Sequence, residues 1–247
     1  MINQYFLEVF GYVPRQGPGS KAETERAWSS LSELPQNPAI LDIGCGKGAQ
    51  TMDLCGLTEG HILALDNYPL FLEALQKRAQ TEKLSHKITC FIGDMGALPF
   101  LPNQFDIIWA EGSMFIIGYK KALREWKNYL KRGGFLVFTD CVWLKENAPN
   151  ELLDFWQSEG IELPTVRDIL DTARKEAYET VSNFTIHTDS WIKEFYDPIE
   201  KALAHFRKLY PDNVEAIETF NAIQHEIDIY RTYHAYFGYE FFVLKKL

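Results

Sequence analysis

The stretch Ala39-Ile40-Leu41-Asp42-Ile43-Gly44-Cys45-Gly46-Lys47-Gly48-Ala49-Gln50-Thr51 decides how this chain folds. An apolar run of strand length leads directly into three alternating glycines. A segment of helical periodicity, Ala49 to Cys55, follows and stops at Gly56. Strand, tight turn and helix is the reading. Glycine suits such a turn because it tolerates positive φ and lets a ligand approach the backbone. The helix behind it presents unpaired N–H groups and a partial positive charge. Ligands of open α/β sheets lie across the carboxyl ends of the strands. The turn therefore points to a nucleotide-like small molecule.

Beyond this stretch, strand-like and helical runs alternate, as a doubly wound sheet requires. Further strands are expected at His61–Leu65 ending in Asp66, Ile88–Ile92 ending in Gly93-Asp94, Phe105–Trp109 ending in Ala110-Glu111-Gly112, and Phe135–Thr139. A helix with Pro69 in its first turn buries Leu70, Ala74 and Leu75. Another carries the stripe Ala122, Leu123, Trp126 and Leu130 and stops at Lys131-Arg132-Gly133-Gly134. The expected fold is an α/β, doubly wound, mostly parallel seven-stranded sheet of Rossmann-like type. After residue 142 the alternation loosens. Helices are expected over 151–159, 166–175, 191–210 and 214–236, with strands over 178–187 and 239–244. The chain reads as a single domain, 1–247. Residues 1–35 form a helical cover with a mobile loop, Arg15–Ser20. Residues 36–142 form the ligand-binding core, and 188–236 a helical insertion.

With 247 residues, 46% hydrophobic and 24% charged, the composition is that of an ordinary globular protein. The net charge of −9 argues against a nucleic-acid partner. The densest basic stretch, Lys120 to Arg132, falls on and just after a helix and reads as a solvated face. Cys45, Cys55, Cys90 and Cys141 lack metal-ligand spacing, and no histidine pair supplies it; no metal is expected. Reduced thiols, no basic-then-apolar leader and no run of membrane-spanning length give the expectation of a cytoplasmic protein without a membrane partner. A homodimer is among the assemblies the sequence allows.

Two ligands compete for the glycine turn. Gly44-Cys45-Gly46-Lys47-Gly48-Ala49 satisfies G-x-G-x-x-G/A, and Asp66 lies about where a dinucleotide's ribose carboxylate belongs. S-adenosylmethionine is the other ligand, with an acidic residue expected two positions before the first glycine, where Asp42 stands. A buried ionised carboxylate needs a cationic or donor partner. A ligand ammonium would be one, whereas a pyrophosphate would be repelled.

Leu41-Asp-Ile-Gly-Cys-Gly-Lys-Gly48 resembles the first signature of class I S-adenosylmethionine-dependent methyltransferases. Asp66, Gly93-Asp94-Met95 with Leu98-Pro99-Phe100, Phe105–Trp109 and Leu130–Gly134 resemble the rest of that set in order and spacing. The likeness is to the small-molecule branch related to ubiquinone-biosynthesis enzymes and covers about residues 35–142. It implies that Gly44, Cys45, Gly46, Gly48 and Thr51 form the turn around the methionine part of the cofactor, with Asp42 toward its amino group. It implies that Asp66 holds the ribose hydroxyls, Asn67 flanks the adenine, Gly93 and Asp94 receive its amine, and Met95 packs on the ring. Glu111 would sit beneath the methyl-transfer centre.

Methyl transfer asks little of the protein beyond aligning the nucleophile and excluding water. A base is needed only for an acceptor that must lose a proton. Glu111 and Tyr119 are the candidates on the acceptor side, with Tyr5 and Tyr12 behind them. Trp143, Phe155, Trp156, Trp191, Phe195 and Tyr196 read either as an aromatic acceptor pocket, for an apolar or cationic molecule, or as core. The expected activity is methyl transfer from S-adenosylmethionine, leaving S-adenosylhomocysteine, to a small molecule. A nicotinamide-dependent oxidoreductase and a non-catalytic S-adenosylmethionine-binding module are the alternatives.

Overall fold

Ile40, Leu41 and Ile43 are fully buried because both faces of their strand are covered, the reason such strands read as unbroken apolar runs. In the computed structural model, which describes residues 3–247, this strand is β1 (Ala39–Ile43). The first two residues of the expected N-terminal cover lie outside the described residues. β1 pairs in parallel with β2 (His61–Asp66) and β4 (Phe105–Ala110). The full sheet has seven strands in the order β3 (Ile88–Ile92), β2, β1, β4, β5 (Leu130–Trp143), β7 (Phe237–Lys246), β6 (Tyr178–Thr185). Only β7 runs antiparallel to its neighbours. The strand order reverses between β1 and β4, which opens a crevice at their carboxyl ends.

Helices cover both faces. On one lie α1 (Gln4–Tyr12), α2 (Lys21–Trp28), α3 (Ala49–Cys55) and α4 (Pro69–Thr81), which bury Val9, Ala27, Leu54 and Leu75. On the other lie α5 (Tyr119–Trp126) and α7 (Val166–Lys175), which bury Leu123, Trp126 and Ile169. α6 (Asn150–Ser158) follows β5 on the first face. Between β6 and β7 come α8 (Thr188–Trp191), a π-helical stretch Ile192–Tyr196, α9 (Asp197–Leu209) and α10 (Val214–Tyr233). Their aromatic residues join the first core layer, with Trp191 stacked on Tyr230 at 4.3 Å.

One boundary departs from the sequence reading. The helix expected to run to Leu130 ends at Trp126, a 3-10 turn spans Lys127–Tyr129, and Leu130 already belongs to β5. Phe105 pairs with Leu130 but Ile107 with Phe135, so residues 131–134 bulge between them. Gly133, at φ +75°, serves that bulge and not a helix stop. Strand pairing supplies hydrogen bonds that the last helical turn would have had to leave to water.

Candidate functional site

At the carboxyl end of β1 the chain turns through Gly44, Gly46 and Gly48, all at positive φ. Two of them have no alternative residue. A β-carbon on Gly44 would lie 2.4 Å from Ser113 Cβ, and one on Gly48 would lie 2.2 Å from Leu75 Cδ1. The turn is held from beneath, where Leu65 O accepts from Gly44 N at 2.8 Å and from Cys45 N at 3.0 Å. Asp66, ending β2, clasps it from the side. Its Oδ2 accepts from Gly46 N and its Oδ1 from Tyr68 N, both at 2.9 Å. Burial raises the Asp66 carboxyl despite these donors.

The crevice holds a cavity of about 160 Å³. Of the residues expected at a site, Gly44, Cys45, Gly46, Asp66, Asn67, Gly93, Asp94, Met95 and Glu111 line it. Asp42, Gly48, Thr51 and Tyr119 do not. Asp42 is fully buried behind the turn, accepting from Thr51 Oγ1 at 2.6 Å and Gln50 Nε2 at 3.2 Å. Its carboxyl is pushed up to about 7, chiefly by burial. Neutral donors of the same fold satisfy it. Thr51 is spent on Asp42, and Gly48 faces α4. Tyr119 opens α5 and packs on the second core layer, away from the cavity.

Glu111 lies at the cavity wall but is already engaged. Trp109 Nε1 and Thr24 Oγ1 donate to its Oε1 at 2.8 Å each, and Arg15 Nη2 forms an ion pair with Oε2. Burial raises its carboxyl, with Arg15 pulling the other way. Arg15 and Thr24 on it tie the N-terminal cover to the cavity wall. Cys45 is buried and its thiol is pushed well up, so small size, not nucleophilicity, accounts for it.

The sequence reading missed the cover's part in the site. The loop expected to be mobile is stitched to the glycine turn. Gln16 Oε1 accepts from Lys47 N at 2.8 Å, and Gln16 Nε2 donates to Phe10 O and Val13 O at 3.0 Å. Lys47 Nζ donates to Gly11 O at 2.6 Å, and Gly19 N reaches Ser190 O at 3.5 Å. Arg15, Gln16, Gln50, Phe71 and Ser113 thus join the lining. Turn-rich composition reported a flexible backbone; only long-range partners order it. Tyr5 and Phe10 pack inside the cover, on Tyr210 and Phe195, whereas Tyr12 is exposed.

The lining fits an adenosyl sulfonium better than a dinucleotide. Three carboxylates (Asp66, Asp94, Glu111) face one guanidinium, which Glu111 already holds. A pyrophosphate would meet net negative charge; a zwitterion with a sulfonium would not. Met95, Phe71 and Ile116 supply apolar surface for a ring. Among the described residues, no group of three or more His, Cys, Asp or Glu is arranged to hold a metal ion. No helix is long and apolar enough to cross a membrane among those residues.

Residues 40–134 match the family described as "Methyltransferase domain". Over 116 residues the chain is 31% identical to the sterol 24-C-methyltransferase erg6 of Aspergillus fumigatus, covering 47% of this chain but only 30% of that one. It is 25% identical over 193 residues to the sarcosine/dimethylglycine N-methyltransferase of Aphanothece halophytica, covering 76% of this chain and 68% of that one. A solved S-adenosylmethionine-dependent methyltransferase from Geobacter sulfurreducens, bound to S-adenosyl-L-homocysteine, shares the fold. The TM-score is 0.84, covering 100% of this chain and 99% of that one at 17% identity. Over residues 40–134 the chain is similar to methyltransferase domains, and its fold is that of solved S-adenosylmethionine-dependent methyltransferases.

Proposed function

We propose that this protein transfers a methyl group from S-adenosylmethionine to a small-molecule acceptor. The observation that carries the reading is the single cavity edge on which the glycine turn, Asp66, Asp94 and Glu111 converge. In this reading the Gly44–Gly46 backbone seats the amino-acid end of the cofactor, with Gln16 and Gln50 as polar neighbours. Asp66 uses its remaining lone pairs for the two ribose hydroxyls, held in place by Gly46 N and Tyr68 N. Asn67 flanks the adenine, Asp94 accepts from its amine, and Met95 packs on the ring. Bound cofactor supplies an electrophilic methyl group carrying its own leaving group. The protein's work is alignment and exclusion of water, and the N-terminal cover closes the cavity on that account. Four free thiols and the acidic surface support a cytoplasmic setting with small molecules, not nucleic acid, as partners.

Calorimetric titration with S-adenosylhomocysteine tests the proposal. Saturable binding is expected, and Asp66→Ala weakens it by about 1–3 kcal/mol, the range for losing hydrogen bonds to a charged group. An unchanged affinity in Asp66→Ala removes the ribose assignment. Enhanced NADH fluorescence on mixing, without S-adenosylhomocysteine binding, turns the reading to a nicotinamide enzyme.

A further inference from the structure

The strap joining α1 to α2, residues 13–20, brings a cation to the wall of the cofactor cavity. Arg15 is only 9% exposed, and among the described residues it is the one cation lining a cavity that also presents Asp66, Asp94 and Glu111. A guanidinium carries five N–H donors in a planar fork. Nη2 of Arg15 pairs with Glu111 Oε2, while its Nη1 and Nε have no hydrogen-bond partner among the described residues. Glu111 Oε1 is taken by Trp109 and Thr24, so Glu111 meets the fork through one oxygen. Removing a charged group from water is costly, and donors left open at a cavity wall are met by what the cavity holds.

Independent bonds hold the strap where it presents this side chain. Gln16, the next residue, spends its whole carboxamide on the protein. Its Oε1 accepts from Lys47 N of the glycine turn, and its Nε2 donates to Phe10 O and Val13 O. Lys47 Nζ returns along the same path to Gly11 O at 2.6 Å and Val13 O at 3.0 Å. Gly19, at φ +148°, backs the guanidinium, since a β-carbon there would lie 2.4 Å from Arg15 Nη2. The cation is therefore fixed beside the turn before any ligand arrives.

We propose that Arg15 binds the carboxylate at the amino-acid end of the cofactor. The inference rests on the methyl-transfer reading and adds a binding residue to it. A carboxylate entering this cavity is repelled by three acids and attracted at one place. The fork suits it, because a guanidinium can grip a carboxylate through parallel N–H···O bonds while another N–H stays on Glu111. That place adjoins the Gly44–Gly46 turn through Gln16, where the reading seats the amino-acid end. S-adenosylmethionine has a single carboxylate, at that end, and its adenosine has none. Arg15 thus fixes which way round the cofactor lies.

The test titrates the full chain with two probes that differ by one group, S-adenosylhomocysteine and its decarboxylated form, S-adenosyl-3-thiopropylamine. Wild type is expected to bind S-adenosylhomocysteine at least about tenfold more tightly, the scale of hydrogen bonds to a charged group. Arg15→Met erases that preference. Glu111→Gln breaks the same ion pair and keeps the preference, whereas a purely structural pair would move both variants alike. Arg15→Lys keeps a charge opposite Glu111 without the fork, and lowers the preference without abolishing it; it decides the matter if Arg15→Met does not fold. Equal binding of the two probes by wild type, a preference that survives in Arg15→Met or is undiminished in Arg15→Lys, or its loss in Glu111→Gln overturns the inference alone. Failure of S-adenosylhomocysteine to bind wild type brings down the methyl-transfer reading, and this inference with it.

Discussion

Arg15→Met puts the N-terminal cover to the sharpest test. In the native protein Arg15 and Glu111 are both buried and form an ion pair at the cavity wall. The variant leaves Glu111 with two neutral donors, Trp109 Nε1 and Thr24 Oγ1. Deleting one partner of a buried pair costs about 3–5 kcal/mol, because a desolvated charge is stranded. The lower end applies here. Loss of the cation raises the Glu111 carboxyl further, so uptake of a proton limits the damage. For a chain of this size, about 3 kcal/mol corresponds to roughly a 6–12 °C fall in Tm. Glu111→Gln strands Arg15 instead and is expected to cost a similar amount. The double variant strands nothing, so its loss falls short of the sum of the singles by about 2 kcal/mol. Urea unfolding of the four proteins measures the cycle, and hydrogen exchange locates the loss in α1 and α2. Single effects that add to within about 0.5 kcal/mol, with α1 and α2 still protected in Arg15→Met, refute the anchoring role.

Three further outcomes follow from the same coordinates. Asp140 is buried and its carboxyl is raised from 3.8 to about 7, so the unfolded chain releases this proton first. Its contribution is therefore intact below about pH 4, falls as pH rises to about 7, and costs on the order of 4 kcal/mol above that. Asp140→Asn, which keeps an acceptor for Cys141 N, flattens that part of the profile and is more stable than wild type at about pH 8 in urea titrations. A variant less stable there contradicts the assignment. Gly48→Ala combines positive φ with a clash against Leu75 and is expected to lose about 2–5 kcal/mol by the same measurement. Tyr119→Phe, remote from the cavity, leaves S-adenosylhomocysteine affinity unchanged and stability within about 0.5 kcal/mol; a tenfold change would return Tyr119 to the site.

Much of the cofactor side was legible in the chain because it is built from local grammar. Each contributing residue sits where an apolar run ends, and a parallel sheet brings such ends to one edge. Asp66, Asp94 and Glu111 stand just at or past such ends, and the resemblance assigned them to the site. Asp42, inside β1, is legible only in part. The residue types show a buried acid, but not that Thr51 and Gln50, in the first turn of α3, would satisfy it. The glycine pair at 133–134 misled for a related reason, since a helix stop and a strand bulge use the same residue.

By itself the sequence determined the fold class, the glycine turn and the row of carboxyl-edge acids. Hydrophobic period and positive-φ glycines act over a few residues, and their reading survives without knowledge of distant partners. Only the tertiary structure decided that Arg15 and Gln16 close the cavity and that Glu111 ties down the N-terminal cover. Those pairings span tens of residues of chain. They exist because buried charges and donors must find partners in three dimensions, a requirement that no local pattern records.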